Sequence, residues 1–260
     1  MRWRRLAGMG AAILVLAGGT GIATGELPRW TIGGTQMVLP TALEPLPAGP
    51  IVLPATGAIL FVGDSNTAGS RVGGGGFAYP ATFLAALPVG STVHVHAFGG
   101  ATVGDVLSRP LPEGAVALAF VMLGTNDAAP RAWLSAKRRI PLETYRTNLA
   151  ELVQRLQAKG ARVVILAPPP LGSRAMQQRL DPYRLAAKQV ALACSCLFRD
   201  SAAAFMSKPD ASWLQRDAMH LSPEAQQQLG LWLVSQTTNA FAAESSSTGK
   251  PNPASASQPS

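Results

Sequence analysis

Short, nearly continuous apolar runs alternate with helical stripes along the middle of this chain, and that alternation limits its fold more than any other feature. The β-rich runs are Ala58 to Val62, Thr92 to Phe98, Val116 to Leu123, Arg162 to Ala167 and, more weakly, Ser195 to Phe198. Helical patterns lie at about 79–87, 102–107, 142–159, 175–193 and 223–236. The clearest places Tyr145, Leu149, Leu152, Val153 and Leu156 on one face, and Gly160 stops it. Strands that are apolar on both faces and separated by helices predict a parallel sheet covered on both sides, a three-layer α/β/α sandwich around five strands.

Around this core the composition changes. Residues 26–57 are rich in proline and turn formers and read as a spacer or strap, and 243–260 are Ser, Pro, Ala and Lys with almost nothing large to bury. The tail is expected to be disordered, which leaves one domain at 58–242, a usual size. The N-terminus runs from a basic Met1-Arg2-Trp3-Arg4-Arg5 into an apolar or small stretch, Leu6 to Ala23, with small residues at Gly21, Ala23 and Gly25. Residues 1–25 therefore read as a secretory signal peptide or an N-terminal membrane anchor, and the late glycines favour cleavage. Both readings place the folded part outside the cytoplasm, in the periplasm or extracellular space.

The net charge is +8, and Arg2, Arg4 and Arg5 contribute to it within the first five residues. The remaining excess favours anionic surroundings such as cell-wall polymer, acidic polysaccharide or a lipid surface, but is too diffuse for a nucleic-acid site. The densest basic run, Lys137-Arg138-Arg139, has no interleaved aromatics and reads as a solvated face. Cys194 and Cys196 have one residue between them, too short a loop for an unstrained disulfide, so both read as free thiols on a buried strand. His94 and His96 share one face of a strand with no third ligand nearby, which makes them structural.

In a parallel sheet, functional loops follow the carboxyl ends of the strands. Gly63-Asp64-Ser65-Asn66-Thr67 follows the first strand, Gly99-Gly100-Ala101-Thr102 the second and Gly124-Thr125-Asn126-Asp127 the third. Asp217-Ala218-Met219-His220 precedes the last helix. A serine is a poor nucleophile without a base, and Asp217 lies three residues before His220, close enough to fix the imidazole tautomer. Singly, Gly100 reads as a turn glycine and Asn126 as a turn asparagine.

The ordered set resembles the SGNH (GDSL-type) hydrolase family, named for its Ser, Gly, Asn and His, over most of residues 58–236. The surroundings of Ser65 are not the Gly-x-Ser-x-Gly elbow of α/β-hydrolases. The resemblance implies a mostly parallel sheet of flavodoxin-like topology. It also implies Ser65 as nucleophile, His220 as base and Asp217 as its partner. The backbone N–H groups of Ser65 and Gly100 and the amide of Asn126 would then form the oxyanion hole. Gly100 is chosen over Gly99 because the family's donor glycine commonly precedes an Asp/Ala-Thr pair; Phe98-Gly99 stands where many relatives have an asparagine. Asp64 and Asp127 read as loop-structuring residues. The implied chemistry needs no metal or organic cofactor.

The expected activity is hydrolysis of short acyl esters, chiefly O-acetyl groups, on a small molecule or an extracellular polysaccharide. Arg71 and the run Gly73–Gly76 are candidates to line the site. An O-acyltransferase using the same triad, or a carbohydrate-binding protein on the same fold, are the alternatives. The sequence carries no indication of oligomeric state.

Overall fold

A β-strand buries alternate residues on opposite faces, so a strand apolar at every position needs cover on both sides. The computed structural model describes residues 34–88, 90–129 and 139–239. It meets that need with a five-stranded parallel sheet between two helical layers. The elements are β1 (Ile51–Leu53), β2 (Ala58–Gly63), α1 (Ser65–Ala68), α2 (Tyr79–Ala85), β3 (Val93–Ala97), α3 (Val103–Leu107), β4 (Val116–Met122), α4 (Thr125–Ala128), α5 (Leu142–Ala158), β5 (Arg162–Leu166), α6 (Arg174–Ala193), β6 (Leu197–Arg199), α7 (Pro223–Ser235) and β7 (Thr237–Asn239). The sheet order is β3-β2-β4-β5-β6, every pair parallel, which is the flavodoxin-like arrangement.

The two faces of β2 lead into two cores. Leu60 and Val62 pack with Val121, Ile165 and the buried stripes of α3, α5 and α6. Ile59 and Phe61 pack with Phe120, Val164, Leu166 and the inner faces of α2 and α7. Phe61 stacks on Phe120 at 4.8 Å between ring centres and meets Phe83 and Tyr79 edge-on, each at 5.5 Å. The α5 stripe is buried as its spacing predicts, from Tyr145 to Leu156. Helix α6 continues through Pro182 because Leu180, Tyr183, Ala186, Ala187 and Val190 bury one face along its length, which outweighs roughly 3 kcal/mol for an interior proline.

Three features differ from the sequence reading. Cys194 and Cys196 are free thiols, but neither is on a strand: Cys194 caps α6, Ser195 takes a left-handed φ of 52°, and β6 begins only at Leu197. Strand β3 is an edge strand and leaves His94 and Val95 exposed, so it lacks the two-sided burial of its neighbours. The third is a separate two-stranded parallel sheet, β1 with β7, where the sequence carried no strand signal. Three residues are too few to show a period of two.

Residues 34–53 run along the domain through hydrogen bonds to it. Thr35 bridges Leu214, the Val38 N–H donates to the Leu171 carbonyl, and Leu46 bridges Phe198. The Arg199 guanidinium, on a side chain largely removed from solvent, donates to the carbonyls of Leu46, Pro47, Gly49 and Phe198. Beside it Arg184 and Asp200 form a buried ion pair at 2.6 Å, and Asp200 also accepts from the Leu43 N–H. Charges this deep are tolerable only when paired and hydrogen-bonded. The N-terminal segment 1–25, the start of the strap, Lys137, Arg138 and the tail 243–260 lie outside the described residues. Among the described residues no helix is long and apolar enough to cross a membrane.

The aromatic cluster around Phe61 is the densest point of one core. Phe61→Ala is expected to cost about 3–5 kcal/mol of unfolding free energy, read from urea denaturation; a loss below about 1 kcal/mol would mean that the cluster collapses around the gap.

Candidate active site

The turn after β2 is built so that a serine can stand at its head. A side chain at Gly63 would come within 2.0 Å of Thr67 Oγ1, so only glycine fits there. Asp64 then caps α1, accepting from the Asn66 N–H at 2.9 Å, and Ser65 is the first residue of that single helical turn. The neighbouring strands bring their own turns to the same edge. After β4, Gly124 takes φ 133°, where a side chain would strike Pro168, and Thr125, Asn126 and Asp127 open α4. After β3, Gly100 takes φ 68°, and a capping box between Thr102 and Asp105 starts α3. Because β2 lies between β3 and β4, the turns holding Gly100, Ser65 and Asn126 stand side by side at the topological switch point.

Two buried carboxylates tie these turns together. Asp64 Oδ2 accepts from Asn126 Nδ2 at 3.3 Å, while its other oxygen holds the Asn66 N–H. An amide nitrogen carries two hydrogens, so this bond orients Asn126 and leaves its second N–H for another acceptor. Asp127 accepts from the Val103 N–H with both oxygens at 3.3 Å, joining the turn after β3 to α4. Burial pushes the Asp64 carboxyl up to about 6, against the pull of the Asn66 N–H and the nearby His220. Burial likewise pushes Asp127 up to about 7, opposed by the Val103 N–H and reinforced by the charges of Asp64 and Asp105.

Asp217 and His220 arrive on a hairpin between β6 and α7. Leu214 pairs with Leu221, the Gln215 N–H donates to the His220 carbonyl at 2.8 Å, and Ala218 turns the chain at φ 58°. The Gly172 N–H donates to the Ala218 carbonyl and anchors that turn. Asp217 Oδ1 accepts from the backbone N–H groups of Met219 and His220, and Oδ2 lies 2.6 Å from His220 Nδ1. Burial would raise the Asp217 carboxyl, but the ring and backbone N–H of His220 and the backbone N–H of Met219 outweigh it and hold it well below the usual carboxylate range. An ionised Asp217 can only accept, so Nδ1 donates to it, and in the neutral ring Nε2 is then the acceptor. Ser65 Oγ lies 2.9 Å from that Nε2.

The structure thus brings Ser65, His220 and Asp217 into one hydrogen-bonded series, with Asn126 attached through Asp64 and the Gly100 turn alongside. The loop after α1 also reaches the hairpin: the Arg71 carbonyl accepts from Gln215 Nε2 at 3.2 Å, and Phe77, beyond the glycine run, is 51% exposed. His94 and His96 do not join the series. They lie on β3, where the His96 ring packs edge-on against Phe98, itself covered by Arg109. Among the described residues no group of three or more His, Cys, Asp or Glu is placed to hold a metal ion. Sequence reasoning gave Asn66 and Gln226 no role, although both are buried and hydrogen-bonded at the site. Asn66 adjoins Ser65, which is a signal; nothing in the spacing of α7 marks Gln226.

The raised Asp127 carboxyl has a consequence for stability. The folded protein keeps a proton there up to about pH 7, whereas a free aspartate loses it near 3.8. Folding stability from this group is therefore fully present below about pH 4 and is lost as pH rises to about 7. Asp127→Asn keeps an acceptor for Val103 and does not titrate, so its melting temperature should gain on the native protein between pH 4 and pH 7 and then level off. A constant difference across that range would contradict the assignment.

The residues from 61 to 228 match the model of the GDSL-like Lipase/Acylhydrolase family. Comparison with curated proteins gives no match. Among solved structures, an acetyl xylan esterase from Geobacillus stearothermophilus shares the fold with a TM-score of 0.61 at 22% identity, over 72% of this chain and 98% of its own. A lipase/acylhydrolase from Enterococcus faecalis aligns with a TM-score of 0.57 at 24% identity, over 69% of this chain and 94% of its own. An alpha/beta hydrolase enzyme from the metagenome of Lake Arreo, Spain, aligns at 0.59 and 24% identity, over 72% and 98%. The family match covers more than half of the chain, and together with the fold it identifies this protein as a member of the GDSL-like lipase/acylhydrolase family, a serine hydrolase of the SGNH type.

Proposed function

We propose that this hydrolase is an exported esterase that removes short acyl groups, chiefly O-acetyl, from carbohydrate, using Ser65, His220 and Asp217 as its triad. The observation that carries the reading is the unbroken series from Asp217 Oδ2 through His220 to Ser65 Oγ, at 2.6 and 2.9 Å. The first is a hydrogen bond that orients the ring, and the second is within direct proton-transfer reach.

In the proposed reaction Ser65 Oγ attacks the ester carbonyl carbon while His220 Nε2 takes the hydroxyl proton. The carbonyl π pair moves to the oxygen, and the oxyanion is held by the backbone N–H groups of Ser65 and Gly100 and by the second N–H of Asn126. Collapse of the tetrahedral species expels the alcohol, which leaves with the proton from His220. Water then attacks the acyl-serine by the same route, giving the carboxylic acid and free Ser65. Asp217 stays ionised throughout and stabilises the imidazolium.

Three observations support the substrate. The connections that follow β2, β3 and β4 are short turns into α1, α3 and α4, which suits a small acyl group on a bulky carrier. The chain is strongly basic, which favours anionic extracellular polymer. A protein of the same fold is an acetyl xylan esterase, which sets acetylated polysaccharide first among the carriers to test. Export rests on the basic N-terminal residues and the apolar stretch that follows them.

Ser65→Ala should fold normally and lose p-nitrophenyl acetate turnover by about 10⁴-fold or more. Undiminished turnover in that variant removes Ser65 from the reaction. In an acyl series from acetate to octanoate, kcat/KM should be highest for acetate, and an optimum at octanoate would overturn the acetyl reading. Asp64→Asn probes the oxyanion donor. An amide offers one acceptor where the carboxylate offers two, so a donor must face either Asn126 or the Asn66 N–H. Turnover of the acetate ester is expected to fall by roughly 10–100-fold, mostly in kcat. Native kcat in Asp64→Asn would mean that Asn126 holds its orientation without Asp64.

A further inference from the structure

The contact between Ser65 and His220 joins two turns 155 residues apart in the chain. Catalytic groups must be held within about 0.5 Å of productive geometry, so something besides the reacting pair has to set the distance between these turns. The hairpin's own hydrogen bonds, from the Gln215 N–H to the His220 carbonyl and from the Met219 and His220 N–H groups to Asp217 Oδ1, shape it internally but do not locate it against α1. Two hydrogen bonds that also cross that junction from the hairpin differ in burial. One is exposed, from Gln215 Nε2 to the Arg71 carbonyl at 3.2 Å. The other is buried, from the Leu221 N–H to Asn66 Oδ1 at 2.9 Å.

We infer that Asn66 is a positioning residue for the reaction, a clamp that sets His220 at hydrogen-bonding distance from Ser65. Residue 66 follows the nucleophile and residue 221 follows the base, so Ser65–His220 and Asn66–Leu221 are adjacent rungs between the same two segments. The second rung is fixed at both ends. Asn66 is 2% exposed, and its N–H is held by Asp64 Oδ1 at 2.9 Å. Its carbonyl accepts from Gln226 Nε2 at 2.9 Å, and Gln226 Oε1 in turn accepts from the Tyr79 N–H. Gln226 stands in the first turn of α7, immediately beyond the hairpin, where Ser222 caps the helix. Asn66 is therefore bonded to the chain on both sides of the point where the hairpin passes into α7. The side chain suits this place because its oxygen reaches and accepts from the buried Leu221 N–H.

The inference rests on the proposed triad and is tested beside it. Asn66→Asp keeps an acceptor at the same reach in either protonation state, and Asn66→Leu fills the same space without one. With p-nitrophenyl acetate, the Asp variant should keep kcat within about threefold of the native value, while the Leu variant loses roughly 100-fold, each with KM within about twofold. Hydrogen exchange gives a reading independent of turnover. The Leu221 amide should exchange about tenfold faster or more in the Leu variant and stay protected in the Asp variant. Equal losses in the two variants, native kcat in the Leu variant, or a loss confined to KM would overturn the clamp. If Asn66→Leu does not fold, Asn66→Ser, too short to reach Leu221, takes its place under the same criteria. Ser65→Ala separates the two claims: full activity there removes the triad itself. An inactive Ser65→Ala beside a fully active Asn66→Leu removes the clamp alone.

Discussion

The parallel pairing of β2 with β3 on one side and β4 on the other is the constraint from which the rest of this molecule follows. Phe61 is in register with Val95 in one neighbour and Phe120 in the other, so all three strands end at one level. Their following turns then have to be packed together at a single edge. Each turn leaves the sheet into a helix start, and a helix start carries unpaired N–H groups. Parallel pairing thus gathers three sets of backbone donors into one place before any side chain is chosen. A serine, an amide and a glycine with positive φ stand at those starts, the residue types that a site for developing negative charge would need.

That gathering has a cost, and the side chains around the site show how it is met. Asp64, Asn66, Asn126 and Asp127 are all buried, and every one of them is hydrogen-bonded across from one turn to another or to the hairpin. The carboxyls of Asp64 and Asp127 are pushed up by that burial, so the ionised forms that hold the turns together are also destabilising to the fold. Ala218, at φ 58°, adds local backbone strain in the same hairpin that carries Asp217 and His220. Stability comes from elsewhere, from the aromatic cluster around Phe61 and the apolar stripes of α5 and α6. Core and site meet at Tyr79, whose ring packs on Phe61 and whose N–H donates to the Gln226 that holds Asn66.

What the sequence could disclose depended on how far each interaction reaches along the chain. The stripe from Tyr145 to Leu156 and the runs that became β2 and β4 repeat over many residues, so their periods are readable. The groupings around Ser65, Gly100, Asn126 and His220 were readable as an ordered set at strand ends, since the parallel sheet brings strand ends together. Strands β1 and β7 are three residues each and pair across almost the whole domain, from Ile51 to Thr237, which no local pattern records. Cys194 and Cys196 were placed on a strand because the apolar run continues through them; the left-handed turn at Ser195 between them is set by the end of α6. Gln226 was invisible for the same reason. Its partners, Asn66 and Tyr79, lie some 150 residues away, and a glutamine on a helix ordinarily faces water.

The strap lies outside residues 61–228, the part that matches the family, yet touches the hairpin. Thr35 exchanges both backbone hydrogen bonds with Leu214, at 2.9 and 3.1 Å, and so adds a third bridged residue to the pair formed by Leu214 and Leu221. A two-stranded hairpin is marginal in water, and a third partner is what makes such a unit hold its shape. Asn66 grips the same hairpin from the inner side. Asp217 and His220 are therefore carried on a segment bounded by Asn66 on one flank and by the strap on the other. The strap is in turn secured far from the site, by the Arg199 guanidinium on its carbonyls and by Asp200 on Leu43. Arginine suits that role because its planar fork of donors can serve several carbonyls at once, whereas a lysine would offer one compact charge. The hairpin that brings His220 to Ser65 is thus held by contacts that begin at β6, on the opposite edge of the sheet from the Gly100 turn.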